Sequence, residues 1–391
     1  MISLKEAIDI ILSVKQTLST EKIDFSESTG RILAADIHSD VNMPPFNKSA
    51  MDGYACRKED LAQELEVLEV IPAGQAPTKE IGANQCSKIM TGAQVPKGAN
   101  TVIMVEHTKE ISKTTIHFIK DKTAQNICFL GEDVLENDLV LKKGTLIKPK
   151  HIAIMASVGA TEPLVYKQPV VGIISTGSEL VEPNTKPQAA QIRNSNGHQM
   201  AAQTKQLNVP VNYYGIVPDD KQKTRETVET AIEQCDIILL SGGVSVGDFD
   251  YVPVILKELG IEIKFNKIAV KPGKHTTFAL GKEKFFIGVP GNPVSSFMQF
   301  ELVVKPFVYH LMGHKYRPVI ASLPLKTEFK RKKDEREEFV PVMIHNNNEV
   351  EPVSYHGSAH IHALSYSDGM IAIPKGIKQI NKGELVDVRQ I

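Results

Sequence analysis

The stretch Asp236-Ile237-Ile238-Leu239-Leu240-Ser241-Gly242-Gly243 decides the fold, because an apolar run of strand length ends there in a glycine turn. Two other runs have the same form. Residues 170–174 are followed by Ser-Thr-Gly, and residues 285–289 are followed by Pro-Gly-Asn-Pro. Polar, helix-favouring stretches such as 220–234 separate these runs. This alternation predicts a parallel α/β sheet within residues 168–313.

The three turns that end these runs are candidate ligand loops, since open α/β sheets bind ligands beyond the carboxyl ends of their strands. Glycine lets backbone N–H groups approach an anion closely, and a following helix adds its positive dipole end. The alternative is three ordinary strand-to-helix turns. No loop has the dinucleotide fingerprint or the P-loop pattern, which disfavours a nicotinamide dehydrogenase or an NTPase. The loop residues are Thr176, Gly177, Ser241, Gly242, Gly243, Val244, Ser245, Pro290, Gly291, Asn292 and Pro293.

Acidic residues lie near the same loops. Asp219 and Asp220 follow a strand-like segment, Asp248 and Asp250 close the Ser-Gly-Gly loop, and Glu179 follows Gly177. Carboxylates beside a phosphate site repel the ligand unless a cation lies between them, and Mg²⁺ suits that position. Capping of helix N-termini is the alternative role for Asp219, Asp220 and Asp248.

A basic segment, Lys267-Ile268-Ala269-Val270-Lys271-Pro272-Gly273-Lys274, is a candidate anion site. Strand alternation predicts that Lys267 and Lys271 lie on one face, and Pro-Gly then turns the chain toward Lys274. Three ammonium groups around one turn can hold a tetrahedral oxyanion. The alternative is an exposed edge strand with lysines that prevent pairing.

Composition and charge describe a folded protein of several domains. The chain has 391 residues, 42% hydrophobic and 23% charged, and a net charge of −1, which gives no global attraction to nucleic acid or to an anionic membrane. Four scattered cysteines without a C-x-x-C pair predict reduced thiols. With no signal peptide and no spanning segment recognisable in the sequence, we expect a cytoplasmic protein.

The remaining chain predicts three further units. Ser3 and Glu6 have capping-box spacing at the start of an amphipathic helix. We expect residues 1–40 and 134–167 to form a discontinuous N-terminal and linker domain. Short β-prone runs predict a small β domain over 41–133, and a β-barrel-like domain over 314–391.

Two features in the C-terminal region invite functional interpretation. His356, His360 and His362 have a spacing that can ligate zinc, but no fourth ligand is evident, so surface β structure is the favoured interpretation. The charge run 330–338 is interpreted as a solvated, self-paired face, with Arg336 as its one functional candidate.

Several motifs together resemble the molybdopterin molybdenumtransferase family, which includes the gephyrin E domain. They occur in the family's order and span nearly the whole chain. The motifs are Met-Pro-Pro-Phe-Asn-Lys-Ser-Ala-Met-Asp-Gly-Tyr-Ala (43–55), Met-Thr-Gly-Ala-Gln-Val-Pro (90–96), Gly-Glu-Asp-Val (131–134), Ser-Thr-Gly-Ser-Glu-Leu (175–180), Arg-Asn-Ser-Asn (193–196), Ser-Gly-Gly-Val-Ser-Val-Gly-Asp (241–248), Val-Lys-Pro-Gly-Lys (270–274) and Gly-Val-Pro-Gly-Asn-Pro-Val-Ser (288–295).

The resemblance implies insertion of molybdenum from molybdate into adenylylated molybdopterin, with a divalent cation, Mg²⁺, and release of AMP. It implies an elongated homodimer in which the β domain around Asp52 reaches the partner's active site, and transient contacts with the enzymes that supply precursor and accept cofactor. Ser195, Asn196, Ser295 and Lys274 belong to its substrate-binding motifs, and Arg336 and Ser358 are implied molybdate contacts. The functional positions carried over are Asp52, Asp133, Glu179, Asp219, Asp250, Lys267 and Lys271, with Asp219, Asp250 and Glu179 as metal ligands.

Some positions depart from the family pattern, and other functions stay open. Asn47-Lys48, Ser178 and His275 are unusual flanking residues that leave the core motifs in place. The alternatives are a molybdopterin adenylyltransferase, whose single domain resembles residues 168–313, and a non-catalytic molybdopterin carrier or scaffold of the same fold. Tungstate also remains open as a substrate, because it is nearly isosteric with molybdate.

Overall fold

The structure is a computed structural model that describes residues 1–15, 18–243, 251–354 and 357–391. Short 3-10 turns occupy Phe25–Glu27, Lys58–Asp60, Val105–His107 and Ile361–Tyr366, and a π-helical turn occupies Phe300–Val304. None of the described helices is long and apolar enough to span a membrane. The α-helices are α1 (Leu4–Leu12), α2 (Pro149–Ser157), α3 (Ser195–Gln206), α4 (Lys221–Gln234), α5 (Val252–Glu258), α6 (Pro293–Gln299) and α7 (Lys305–Leu311).

Strands are distributed along the whole described chain. Those before residue 167 are β1 (Thr20–Lys22), β2 (Ile37–His38), β3 (Lys48–Ser49), β4 (Gly53–Cys56), β5 (Glu64–Ile71), β6 (Gln85–Ile89), β7 (Thr101–Met104), β8 (Thr108–Ser112), β9 (Thr115–Phe118), β10 (Ile127–Cys128), β11 (Leu139–Leu141) and β12 (Leu164–Tyr166). Those that follow are β13 (Val171–Thr176), β14 (Leu180–Val181), β15 (Ile192–Arg193), β16 (Val211–Val217), β17 (Ile237–Ser241), β18 (Glu262–Phe265), β19 (Val270–Lys271), β20 (Thr277–Leu280), β21 (Phe285–Val289), β22 (Ile320–Pro324), β23 (Phe329–Lys330), β24 (Glu337–Ile344), β25 (Val350–Pro352), β26 (Gly369–Ile373), β27 (Gln379–Ile380) and β28 (Leu385–Gln390).

The central sheet has the order β16-β13-β17-β21-β20-β18, and its first four strands are parallel, as the apolar runs predict. Both faces of those strands are buried. Ile173, Leu239 and Ile287 pack toward α3, α6 and α7, whereas Ile174 and Leu240 pack toward α4 and α5. Burial on both faces explains why these strands are continuously apolar rather than alternating.

The same sheet is mixed, because β20 runs antiparallel to β21. A tight turn joins these two strands, closed by the Gly281 N–H donating to the Lys284 carbonyl at 2.8 Å. A connection of this length cannot carry a crossover, so the two strands must be antiparallel. The prediction of a wholly parallel sheet is wrong for this edge.

The first part of the chain forms a separate β sheet and a linker region. The sheet has the order β7-β4-β6-β5-β9-β8 and has its own buried core around Tyr54, Leu65 and Ile103. In the linker region β1 pairs with β12 and β2 pairs with β11, which joins two stretches distant in sequence. Helix α1 begins at the capping box of Ser3 and Glu6, but its buried residues Ala7 and Ile11 pack in the core that covers the central sheet.

The C-terminal sheet has the strand order β19-β24-β26-β28-β22. Strand β25 pairs with the edge of β24 that is opposite to β26. An isolated bridge between Leu325, just after β22, and Val350 of β25 connects these two strands. Because β25 pairs with β24, the strand pairing leads from β22 back to β24. Side chains such as Leu325, Val342 and Ile371 fill the interior. One strand of this sheet, β19, comes from the lysine segment of the central region, which ties the two parts together.

The thiols are free, in agreement with the sequence-based expectation, and they differ in environment. Cys56 and Cys86 are register partners on β4 and β6 and are fully buried. Burial raises the pKa of each of these thiols to about 12. Cys128 on β10 is only partly buried.

We expect Cys128 to react first with a thiol reagent at pH 8, because Cys56 and Cys86 stay protonated and enclosed there. The measurement is the time course of thiol labelling by mass spectrometry of tryptic peptides. Cys128→Ala serves as the control and must remove the fast phase. Early labelling of Cys56 or Cys86 in folded protein would contradict this packing.

Candidate functional site

The three predicted ligand loops meet at one edge of the central sheet. Ser241 is in register with Ser175 and with Val289, so the loops after β13, β17 and β21 begin side by side. The Asn196 side-chain amide links the loops after β17 and β21, since it donates to Ser241 Oγ at 2.8 Å and to the Gly291 carbonyl at 2.7 Å. Asn196 lies in the first turn of α3 and is buried, so it holds two of the loops against this helix.

Close backbone approach explains the glycines in these loops. Gly242 has φ +86° and Gly243 has φ +61°, a left-handed conformation that glycine adopts without strain. A Cβ atom on Gly242 would lie 2.5 Å from the Thr176 carbonyl oxygen, which leaves no room for a side chain. Val244 and Ser245, predicted in the same loop, lie outside the described residues.

Two of the predicted metal ligands flank the turn after β13. The Ser178 N–H donates to Asp219 Oδ2 at 3.0 Å, and the Asp219 N–H donates to Ser178 Oγ at 3.0 Å. The Glu179 carboxylate folds against Gly177, where an added Cβ would lie 2.6 Å from Glu179 Oε2. Asp219 therefore caps a loop rather than a helix, and its second carboxylate oxygen has no hydrogen bond among the described residues.

The neighbouring acids have different positions. Asp220 is the N-cap residue of α4, and its carboxylate accepts a hydrogen bond from the Lys223 N–H at 2.8 Å. This is the helix-capping role that the sequence offers as its alternative to metal binding. Asp248 and Asp250 lie outside the described residues. In the chain apart from those undescribed stretches, no group of three acidic, histidine or cysteine side chains is arranged to hold a metal ion.

A cavity of about 1030 Å³ opens beside these loops, between the lysine turn after β19 and the C-terminal sheet. Predicted residues from two of the motifs, together with Arg336 and Ser358, line it. They are Lys271, Lys274, Pro290, Asn292, Ser295, Arg336 and Ser358.

Main-chain pairing between β19 and β24 positions the basic groups of this cavity. Val270 pairs with Glu337 and Lys271 pairs with Glu338. Arg336 Nη1 donates to the Val270 carbonyl at 2.8 Å, so its guanidinium is held at the start of the lysine turn. The turn itself is held by Gln299, whose Nε2 donates to the Pro272 carbonyl at 3.1 Å.

A buried acid lies between two of the cations. Glu338 is 4% exposed, and its Oε1 lies 2.7 Å from Lys271 Nζ while its Oε2 lies 3.3 Å from Arg331 Nη1. A buried carboxylate is costly unless it is paired, and here both oxygens have a cationic partner. Glu338 thereby orients Lys271, whose side chain remains half exposed toward the cavity.

The loop between β21 and α6 also contacts the C-terminal region directly. Asn292 is the N-cap residue of α6, with Pro293 following, but its side chain does not cap the helix. Asn292 Nδ2 instead donates to Ser358 Oγ at 2.9 Å, and the Val294 N–H donates to the Ser358 carbonyl at 3.0 Å. Ser358 is thus fixed beside the ligand loop, as its assignment to the site requires.

The charge run 330–338 contributes more to the cavity than the sequence indicated. Lys330, Arg331, Lys332 and Lys333 line it together with Arg336. The interpretation of this run as mostly a solvated, self-paired face is wrong for Arg331, whose side chain is 3% exposed. Lys330, Lys332 and Lys333 are exposed, as that interpretation expects, and Lys330 pairs with Glu328. No local signal reveals this, since the pairing of β24 with β19 joins segments more than 60 residues apart.

Among the described functional positions carried over from the family, Lys271 alone lines this cavity. Asp219 and Glu179 lie at the turn after β13, and three others lie elsewhere. Lys267 was expected to share a strand face with Lys271, but β19 consists of Val270 and Lys271 alone, and Lys267 lies before a bend. Asp52 lies in the separate β domain, and Asp133 lines a different cavity of about 380 Å³ beside Met43 and Lys48.

Asp52 nevertheless has an ordered carboxylate. Its Oδ1 accepts from the Thr91 N–H at 2.6 Å and from Thr91 Oγ1 at 2.7 Å. These hydrogen bonds hold the pKa of Asp52 below its ordinary value, and the one from the Thr91 backbone N–H has the largest effect. Asp52 and Thr91 belong to two different motifs of the sequence, and this contact unites them.

The histidines of the C-terminal region lie apart from the basic cavity. His360 and His362 line a separate cavity of about 440 Å³, and His356 lies outside the described residues. Sequence reasoning assigned this segment to surface β structure, but the structure places residues 361–366 in a 3-10 turn. The cause is local pairing of the His360 carbonyl with the Ala363 N–H.

We expect Asn196→Ala to destabilise the protein, because the change leaves Ser241 and the Gly291 carbonyl without their shared donor. Loss of buried hydrogen bonds costs about 1–3 kcal/mol of unfolding free energy. Urea unfolding followed by circular dichroism measures this loss. Asn346→Ala, in an exposed turn, is the matched control, and equal effects of the two changes would contradict the linking role of Asn196.

Comparison with known families agrees with this geometry. Residues 2–159 match the MoeA N-terminal region (domain I and II), residues 172–310 match the probable molybdopterin binding domain, and residues 323–391 match the MoeA C-terminal region (domain IV). These matches cover the linker and β regions, the central sheet with its loops, and the C-terminal sheet in turn.

Similar proteins cover the chain from end to end. Molybdopterin molybdenumtransferase from Staphylococcus epidermidis is 38% identical over 398 aligned positions, covering 99% of this chain and 95% of the relative. The Staphylococcus aureus protein of that name is 37% identical, with the same coverage. The crystal structure of the molybdopterin biosynthesis moeA protein from Pyrococcus horikoshii OT3 superposes with a TM-score of 0.85 at 30% identity, covering 100% of both chains.

Proposed function

Because this chain belongs to the molybdopterin molybdenumtransferase family, we propose that its 1030 Å³ basic cavity binds molybdate beside a molybdopterin held by the loops of the central sheet. The chain is a transferase that inserts molybdenum during assembly of the molybdenum cofactor. The observation that carries the site assignment is the convergence of Lys271, Lys274, Arg336 and Ser358 on one cavity next to Asn292.

We assign molybdate to the wall formed by Lys271, Lys274 and Arg336. In the described chain, seven lysine and arginine residues line this cavity against the single acid Glu338. Molybdate is a tetrahedral dianion, and charge-assisted hydrogen bonds from ammonium and guanidinium groups are the strong interactions available to it. Lys267 lies outside this wall, so we assign it no contact with molybdate.

The organic substrate in this proposal is adenylylated molybdopterin, held by the sheet-edge loops. Backbone N–H groups of Gly243 and Gly291, in the loops after β17 and β21, are the donors that we assign to its phosphate groups. Asn196 joins the loops after β17 and β21, which supports a single ligand that contacts both. During the reaction two oxygens of molybdate are replaced by the two dithiolene sulfurs and leave as water. One water attacks the phosphoanhydride bond, so AMP leaves, the molybdopterin phosphate is released from adenylate, and one water remains as product.

The carboxylates of Asp219 and Glu179 fit a divalent cation such as Mg²⁺. Both flank the turn at residues 177–178, and carboxylate oxygens are the ligands that this ion prefers. Asp250 is the third ligand in our assignment. When bound, the ion supplies positive charge that offsets the negative charge of the phosphate groups.

The residues of the chain have separate tasks in this reaction. Lys271 and Lys274 bind the oxyanion and stabilise charge that develops as AMP departs. Glu338 is a positioning residue, because both of its carboxylate oxygens are engaged by Lys271 and Arg331 and it acts through Lys271. Arg336 fixes the turn through the Val270 carbonyl and presents its remaining donors to the cavity.

We further propose that the active molecule is a homodimer, in which Asp52 and Asp133 complete the cavity of the partner. Neither residue lines the basic cavity of its own chain, although Asp52 has an ordered carboxylate. The proposed domain division is 1–40 with 134–167, 41–133, 168–313 and 314–391. The four free thiols support a cytoplasmic location, and contacts with precursor-supplying and acceptor enzymes would be transient.

We expect Lys271→Ala to reduce molybdate-dependent AMP release by a factor of about 10²–10³, since it removes a charge aligned with the reacting anion. The assay follows AMP from adenylylated molybdopterin with Mg²⁺, with and without molybdate. Lys382→Ala, in an exposed turn of the same region, is the control.

The same assay separates the transferase from a carrier. Asp219→Asn should abolish AMP release while the melting temperature stays near that of the wild type. Tight precursor binding without AMP release by the wild-type protein would instead support a carrier or scaffold. Unchanged release in Asp219→Asn would remove Asp219 from the mechanism.

We expect Asp52→Asn and Lys271→Ala proteins, each inactive alone, to recover activity after they are mixed and subunits exchange. Half of the dimers are then mixed, and each mixed dimer has one intact site, so about a quarter of wild-type activity returns. Mixing two batches of Asp52→Asn is the control. No recovery, with exchange verified by mass spectrometry, would show that Asp52 does not act across subunits.

A further inference from the structure

A second basic cavity, of about 900 Å³, lies at the junction of the linker region, the end of α7 and the last strand. It shares no residue with the molybdate cavity. Its size falls within the range of small-molecule sites, about 300–1,000 Å³. The residues that line it include Lys142, Lys148, Lys305, Lys315, Tyr316 and Arg317.

The charge of this cavity is strongly one-sided. Six lysine and arginine residues and two histidines line it within the described chain, against no aspartate or glutamate side chain and the one terminal carboxylate of Ile391. The whole sequence has 45 basic and 46 acidic residues, so this imbalance is local rather than compositional. Like charges gathered on one concave surface repel each other, and a bound anion relieves that repulsion.

The floor of the cavity is a built structure rather than a loose surface. Lys305 Nζ pairs with the buried Glu301 carboxylate at 2.8 Å and lies 5.6 Å from the centre of the Tyr316 ring. Tyr316 stacks on Tyr309 at 5.3 Å, and the Arg389 guanidinium lies 5.8 Å from the same Tyr316 ring. These contacts occupy the aromatic ring and leave charge as the main recognition element.

The two walls are fixed to each other by a glycine contact. Gly144 follows Lys142 and Lys143, and its carbonyl lies 2.8 Å from His314 Nδ1. Gly144 has φ +82°, and an added Cβ would lie 2.9 Å from the Gly313 carbonyl oxygen. The turn with Lys142 is thereby held against the segment with Lys315 and Arg317.

The rim cations are available to a ligand. Lys142, Lys148, Lys315 and Arg317 form no salt bridge within the part of the chain that the structure describes. They come from two separate walls, so a single small oxyanion would contact only part of the set. An anion with several charged groups can contact both walls.

This cavity is spatially distinct from the proposed active site. Helix α3 has Asn196 in its first turn at the sheet-edge loops and Gln206 at its other end in the second cavity. Ten residues of helix separate the two positions by about 15 Å. One small ligand therefore does not occupy both sites.

We propose that this second cavity binds a small polyanion that carries two or more phosphate groups. Lysine and arginine donate charge-assisted hydrogen bonds to phosphate oxygens, and arginine does so with two parallel donors. The proposal is independent of the transferase assignment, because it uses none of the residues assigned to molybdate or molybdopterin.

Isothermal titration calorimetry with inorganic pyrophosphate tests the proposal on the full chain. We compare the wild type with Lys315→Ala/Arg317→Ala, with Lys274→Ala/Arg336→Ala, and with the exposed control pair Lys109→Ala/Lys113→Ala. We expect the Lys315/Arg317 change to weaken one binding event at least about tenfold, since two charged hydrogen-bond donors are lost. That event should survive in the Lys274/Arg336 variant and in the control.

Three results would overturn the proposal. They are no pyrophosphate binding by the wild type, complete loss of binding in the Lys274/Arg336 variant, and equal weakening by the control pair. Citrate at the same ionic strength is a further arm, and equal affinity for citrate would show that the cavity selects charge and not phosphate. Melting temperatures of all variants verify folding, which the exposed positions of Lys315 and Arg317 should preserve.

Discussion

Short main-chain pairing between β19 and β24 is the interaction on which the proposed site depends. It consists of Val270 with Glu337 and Lys271 with Glu338, and it joins the lysine turn of the central region to the C-terminal sheet. The buried Glu338 carboxylate reinforces it by pairing with Lys271 and Arg331. Removing either cation would leave a buried charge partly uncompensated, so the three residues stabilise the junction as a set.

The location of the basic cavity follows from this junction. The central sheet alone offers glycine loops at its edge, which suit a phosphate-bearing ligand. The C-terminal sheet adds the basic run at 330–336 and Ser358, and the Asn292 to Ser358 contact brings the two sets together. Anion binding by a protein with net charge −1 thus rests on local geometry, not on a global field.

Helices carry the loops and also separate the two basic cavities. Helix α3 runs from Ser195 to Gln206, and the run from α6 through the π-helical turn to α7 leads from Pro293 to Leu311. Each therefore begins at the sheet-edge loops and extends toward the second cavity. These helices pack in the same core as the central sheet, so the two cavities lie on one packed unit although they share no lining residue.

The sequence alone specifies three of the four parallel strands, the glycine loops, and the cavity residues Lys271, Lys274 and Arg336. Apolar runs such as 236–240, buried on both faces, leave a pattern that local sequence retains, and the motifs carry Lys271, Lys274 and Asn292. Capping by Ser3, Glu6 and Asp220 was equally readable, because these hydrogen bonds join residues three apart.

The contacts between distant segments follow from the three-dimensional packing of the elements. The placement of Lys330, Arg331 and Glu338 beside Lys271 depends on strand pairing across more than 60 residues, which no local pattern encodes. The antiparallel β20 and the separation of Lys267 from Lys271 arise from a tight turn and a bend that interrupt apparent strand periodicity. Local propensity and spacing specify elements and loops, whereas burial and pairing of those elements specify which charges meet.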